Sequence, residues 1–178
     1  EMDGDIWFWD KVNAWRAAGI FPAFSAGNEG PLCDTLGDPG SFQESFASAA
    51  HDNIYELEYT IGSRGPSYWG HDPYTKPNIS APGVDVISSY KASTISYLSM
   101  SGTSMASPHS AGAVALLWSC NPSLIGQIDT TFQLLQSSAR EPRLSVCGGP
   151  PDEEGNYSFG YGYLDVLEAG FYTCGGVA

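Results

Sequence analysis

An α/β fold, with a mostly parallel sheet carrying helices on both faces, is predicted by three observations. Buried-type apolar runs of strand length recur between Pro, Gly and Asn breakers. Two long segments carry helical character. Strand is followed by helix along the chain, as in sheets whose parallel strands are joined by helical crossovers. The 178 residues are 42% hydrophobic, enough for one globular core, and hold no internal repeat or low-complexity tract.

Taken in order, Ile6 to Ala18 reads as an amphipathic helix that Gly19 ends. Ile20 to Ala26 reads as a buried parallel strand breaking into the turn Gly27-Asn28-Glu29-Gly30. Further strands are expected near 45–50, 57–62 and 84–88. Ser63-Arg64-Gly65-Pro66 and Lys76 to Val86 are rich in the Pro and Gly that fix tight turns. A long helix of small apolar residues is expected from about 104 to 119. Asn121 to Ala139 reads as another, capped by Asn121 or Ser123, with Leu124, Ile128, Phe132 and Leu135 on one stripe. A Gly/Pro-rich acidic loop follows over Cys147 to Tyr157, then a strand over Ser158 to Tyr163 and a short helix over Leu164 to Ala169.

Chemistry concentrates where the long helix begins. In Met100-Ser101-Gly102-Thr103-Ser104-Met105-Ala106-Ser107-Pro108-His109, a serine meets a first helical turn, whose unpaired N–H groups and dipole stabilise developing negative charge. Thr103 or Ser104 could instead cap the helix. Pro108 favours a site: it removes a backbone donor and loosens the turn carrying Ser104, while Gly102 admits a close backbone approach. Asn28, at the carboxyl end of a predicted parallel strand, points to the crevice where α/β sheets bind ligands, although Asn before Gly is also ordinary turn chemistry.

These two stretches resemble the subtilisin-like serine proteases. The resemblance rests on Gly-Thr-Ser-Met-Ala followed by Ser-Pro-His, on Ser25-Ala26-Gly27-Asn28, and on the two linking turns between them, and runs from about residue 1 to about 171. It implies that Ser104 is the nucleophile. It implies that Asn28, with the N–H of Ser104, holds the tetrahedral oxyanion, and that Ser25, Ala26 and Gly27 form one wall of the primary specificity pocket. The other wall is not in the sequence. The resemblance also raises a structural calcium site from loop carbonyls near Gly40 to Ser45 with Asp72; no cofactor is required for the chemistry.

Such a protease needs a histidine base and an orienting carboxylate. The family places them in Asp-Ser/Thr-Gly and His-Gly-Thr strings ahead of the asparagine, and neither string precedes Asn28. His109 lies inside the serine motif, where the family keeps a structural helix residue. His51 and His71 read as surface or hydrogen-bonded polar residues, and Asp34-Thr35-Leu36-Gly37 as a loop. The closing glycine of the α/β-hydrolase nucleophile elbow is missing after Ser104. Residues 1–178 are accordingly expected to be the C-terminal part of one subtilisin-like peptidase domain: a cleavage product, one chain of a nicked protease, or a truncated chain. Its partners would be polypeptide substrates and the N-terminal part of the same domain.

Seven Lys and Arg against 20 Asp and Glu give a net charge of −13, which disfavours nucleic acid as a partner. The acidic residues, Asp152-Glu153-Glu154 among them, read as a solvating surface rather than metal ligands. Cys33, Cys120, Cys147 and Cys174 lack Cys-x-x-Cys spacing, which disfavours zinc and suits two disulfides in an oxidising compartment. Of the three pairings, Cys33 with Cys147 and Cys120 with Cys174 is preferred. Asn78-Ile79-Ser80 and Asn156-Tyr157-Ser158 are N-glycosylation sequons. The longest apolar run, Ala113 to Trp118, is far short of a membrane span. The expectation is a secreted serine endopeptidase, inactive as this chain alone; the alternative is a binding or inhibitory homologue that keeps the scaffold without proteolysis.

Overall fold

The computed structural model describes residues 6–68, 73–150 and 155–175. Three strands form a parallel sheet in the order β1 (Ala23–Ser25), β2 (Phe46–His51) and β3 (Ile79–Pro82). Ser48 stands opposite both Ser25 and Ile79, which fixes the register across the sheet. Every residue of β2 is buried, as a central parallel strand covered on both faces requires.

Alternation along β2 sorts its side chains. Phe46, Ser48 and Ala50 face helix α2 (Thr103–Cys120), where the Ser48 and Ser110 hydroxyls meet at 2.7 Å and Ala50, Ala81 and Ala106 pack as a cluster of small residues. Small side chains on both partners let the helix that carries Ser104 lie close to the sheet. Farther along, Phe46 and Ile79 join Ala113, Val114 and Leu117 of α2 and Ile128, Phe132 and Leu135 of α3 (Ile128–Ser137) in the main core. On the opposite face His51 stacks edge-on against Tyr163 with ring centroids 4.8 Å apart, its Nδ1 2.9 Å from Ser80 Oγ.

Beyond β3 the pairing continues in single bridges. Ser80 N–H donates to Gly162 O and Leu164 N–H to Ser80 O, both at 2.8 Å, while Arg140 and Tyr163 exchange a pair of 2.9 Å bonds. The first helix, α1 (Ile6–Ala17), ends at Gly19, whose φ of 74° is one a glycine adopts without strain.

Several expected elements differ. The segment 57–62 is no strand and makes only the bridge His51–Glu58, because Asp52 Oδ1 accepts from the N–H of Ile54 and of Tyr55 and turns the chain back. The third parallel strand is instead Ile79–Pro82, inside a run whose Pro and Gly content reads as turns. The expected strand at 84–88 is β4 (Val86–Ser89), and it pairs antiparallel with β5 (Tyr97–Met100) in a separate hairpin with mostly exposed side chains. The helix expected over 121–139 is broken at Gly126, φ 79°, into a 3-10 turn (Pro122–Leu124) and α3, with Asn121 Oδ1 accepting from Ser123 N–H at 3.2 Å. Ser158–Tyr163 is a turn with bridges, and the last helix, α4 (Val166–Thr173), starts later than expected, capped by Asp165 on Glu168 N–H at 2.9 Å.

Two disulfides join Cys33 to Cys147 and Cys120 to Cys174. The first ties the loop after Asn28 to the segment before Asn156; the second ties the end of α2 to the end of α4. The side chains of both sequon asparagines are engaged. Asn78 Oδ1 accepts from Ala47 N–H and Lys76 Nζ, and Asn156 donates to Arg143 O and accepts from Ser158 N–H and Phe159 N–H. Both asparagines are buried, so a glycan on either would have to pull its side chain out of these bonds.

Candidate active site

The geometry begins with Gly102, which enters α2 at φ 152° and ψ 164°, a backbone region that favours glycine. Thr103 follows, fully buried, and Ser104 is exposed as the second helical residue. Pro108, inside α2, has no N–H to give the carbonyl four residues back, that of Ser104. The chain thus presents one hydroxyl to solvent on a turn whose backbone is only partly committed to the helix.

Asn28 follows the turn after β1 and reaches the same point. Its Oδ1 accepts from the Thr103 backbone N–H and from Thr103 Oγ1, both at 3.1 Å. The Thr103 hydroxyl also accepts the Gly27 N–H at 3.3 Å and lies 3.1 Å from Gly27 O. The oxygen of Asn28 is thus committed to Thr103, and the residue itself is exposed; a Cβ built on Gly102 would fall 3.6 Å from its Oδ1 and 3.8 Å from its Nδ2. Thr103 does not cap α2, since no side-chain cap bond is made there. It clamps the two halves of the site together instead.

The backbone of the turn is fixed from its other side. Glu29 Oε2 accepts from the Asn28 N–H at 2.7 Å and from Ser63 Oγ at 2.8 Å, and Ser63 returns the contact by accepting Glu29 N–H at 3.0 Å and donating its own N–H to Gly27 O at 2.9 Å. At Gly27 a Cβ would lie 2.5 Å from Glu29 Oε2 and 2.6 Å from Ser63 Oγ, so a larger residue has no room. Ser25, Ala26 and Gly27 lead into this turn from β1; Ala26 is buried, its N–H on Ser48 O and its carbonyl accepting Gly37 N–H.

The two described histidines are engaged in other contacts. His51 is buried, and loss of solvation drives its pKa from 6.5 to about 4, against the upward pull of Glu56 and Asp52. His109 Nδ1 lies 2.8 Å from Met105 O, one turn back on α2. His71 and Asp72 lie outside the described residues, as do Asp152, Glu153 and Glu154. Among the described residues no cluster of three or more His, Cys, Asp or Glu could hold a metal ion, and no helix is long and apolar enough to cross a membrane.

Residues 3–163 match the model of the subtilase family. The chain belongs to that family. This subtilase chain is 39% identical over 173 residues to bacillopeptidase F of Bacillus subtilis (strain 168), covering 93% of the chain and 11% of that protein. It is 38% identical over 165 residues to a subtilisin of Bacillus sp. (strain TA39), covering 88% of the chain and 38% of that protein. Among solved structures it superposes on Sphericase with a TM-score of 0.74 and 28% identity, over 94% of the chain and 55% of Sphericase. The chain therefore spans well under two thirds of the length of these relatives.

Thr103, Glu29 and Ser63 were not singled out as site residues from sequence. Thr103 reads there as a cap and Ser63 as part of a turn, because the bonds that give them their roles cross 76 and 34 residues of chain. No local pattern encodes such a contact.

Proposed function

We propose that this chain carries the nucleophile and oxyanion half of a secreted serine endopeptidase that cleaves peptide bonds through an acyl-enzyme. The observation that carries the reading is the clamp of Asn28 Oδ1 on Thr103, which holds the exposed Asn28 against the residue that precedes the exposed Ser104 at the start of α2. Ser104 Oγ would attack the scissile carbonyl. Because Thr103 N–H is already given to Asn28, the next donor of the turn, Ser104 N–H, remains for the oxyanion together with Asn28 Nδ2. Ser25, Ala26 and Gly27 would line one wall of the pocket for the substrate side chain.

The base and its carboxylate are assigned to the N-terminal part of the same domain. His51 is engaged with Ser80 across the sheet, and His109 lies against its own helix. Two features support a docking of that part here: β1 pairs on one side only among the described residues, and an apolar groove runs over Pro108, Gly112, Ala115, Leu116, Leu164 and Val166. Two disulfides fit an oxidising, extracellular setting. In the complete enzyme Asn28→Ala should lower kcat by about 10²–10³ with KM little changed, as for a donor acting only in the transition state. Fluorophosphonate should label Ser104 when the N-terminal part is present and fail to label the isolated chain. Unchanged kcat in Asn28→Ala, or rapid stoichiometric labelling of the isolated chain, would refute the assignment.

A further inference from the structure

Lys76 is 1% exposed, although an ammonium group is among the costliest groups to take out of water. Its Nζ donates to the carbonyl of Ser45 and, at 2.7 Å, to Asn78 Oδ1, which also accepts the Ala47 N–H at 2.8 Å. These acceptors are all oxygens, the donor set a hard cation takes. They belong to the Gly40–Ser45 loop and its surroundings, where the family resemblance raises a calcium ion.

The described residues of this loop do not fit calcium. Four carbonyls of the loop are already engaged: Ser41 O accepts from Ser67 Oγ and Tyr74 OH, Phe42 O from Ser45 N–H, Glu44 O from Arg16 Nη1 and Ser45 O from Lys76 Nζ. Second lone pairs do not rescue the site, because two of these donors are cationic. A divalent ion would enter a buried space beside an ammonium and a guanidinium, where like-charge repulsion is screened far less than at a surface.

We propose that the Lys76 ammonium, with Arg16 on the neighbouring carbonyl, is the structural cation of the 40–45 loop, supplied covalently, and that this loop takes no calcium. Burial lowers the pKa of Lys76 to about 7; the charge of Glu44 raises it and that of Arg16 lowers it further. Glu44 is thus the nearby negative charge that works against the loss of the proton. The loop so held lies directly on the strand that leads to Asn28. A Cβ on Gly40 would fall 2.4 Å from Ser25 O, and Gly37 N–H donates to Ala26 O at 2.9 Å. A cation tethered to the chain keeps this loop against the pocket strand without uptake of an ion, and its role does not depend on whether the protein is a protease.

The test is calcium titration of the full, disulfide-intact chain followed by amide ¹H–¹⁵N spectra. The signals of Ser41 to Phe46 should stay in place through millimolar calcium, whatever shifts elsewhere. Saturable movement of those signals would overturn the proposal. A second arm uses Lys76→Ala, whose lost atoms correspond to propylammonium. Its melting temperature should fall, and propylammonium should restore it where propanol at the same concentration does not. Equal recovery by both would mean that Lys76 only fills space, and would overturn its role as a cation. If that variant does not fold, the spectra of the wild-type chain still decide the calcium claim.

Discussion

Acid should destabilise this protein in a window set by His51. The imidazole is buried between β2 and Tyr163, with Nδ1 on Ser80 Oγ, and burial lowers its pKa from 6.5 to about 4. The folded-state pKa lies below the unfolded one, so between these values the unfolded chain binds more protons. Stability from the neutral ring is therefore present above pH 6.5 and lost as pH falls towards 4. At about 1.36 kcal/mol per unit the full loss is about 3 kcal/mol, of which about 2 kcal/mol is gone by pH 5. The charges of Glu56 and Asp52 raise the pKa of the ring and those of Arg140 and His109 lower it, all of them second to burial. The comparison is His51→Gln, which keeps a polar group in reach of Ser80 but has no proton to gain. Urea unfolding of the oxidised chains at pH 7 and pH 5 should show wild type losing about 2 kcal/mol more than the variant. Parallel losses in the two proteins would refute the argument, since the slope would then belong to the carboxylates.

Three further outcomes follow from the packing and the site. Phe46, fully buried with Phe21 and Phe132 at centroid distances of 5.2 and 4.9 Å, should cost about 3–5 kcal/mol when changed to Ala, read as a lowered urea midpoint at constant m. Thr103→Val removes the hydroxyl bonds to Gly27 and Asn28 while keeping the backbone bond to Asn28 Oδ1. In the complete enzyme it should slow fluorophosphonate labelling about tenfold, the worth of one hydrogen bond of about 1.4 kcal/mol. Replacing Cys33 and Cys147 together by Ser opens a link spanning 114 residues and should cost about 2–5 kcal/mol in thermal unfolding, with no change in the mass of the Cys120–Cys174 peptide pair on nonreducing digestion.

The sequence by itself determined what is written locally. The serine motif, the helix that begins with it, the strand leading to Asn28 and the turn at Gly27 all depend on neighbours a few residues apart, as do helical periodicity and glycine punctuation. Tertiary structure decided the rest. Ile79–Pro82 is a strand because β2 offers it a parallel edge, although the Pro and Gly of its segment read as a turn, while 57–62 has apolar character but meets the end of β2 in a single bridge. Thr103 became a clamp rather than a cap because Asn28 and Gly27 arrive from 75 and 76 residues away to take its hydroxyl. Lys76 sits in a segment that reads as surface turn, and only the convergence of Ser45, Asn78 and Glu44 makes a buried ammonium tolerable there. Asn78 and Asn156 carry the local signature of glycan acceptors, whereas the bonds of their side chains to Ala47 N–H and to Arg143 O are visible only in the fold. A short motif records residue types at fixed spacing, whereas burial and hydrogen-bond partnership depend on which distant segments the hydrophobic core brings together.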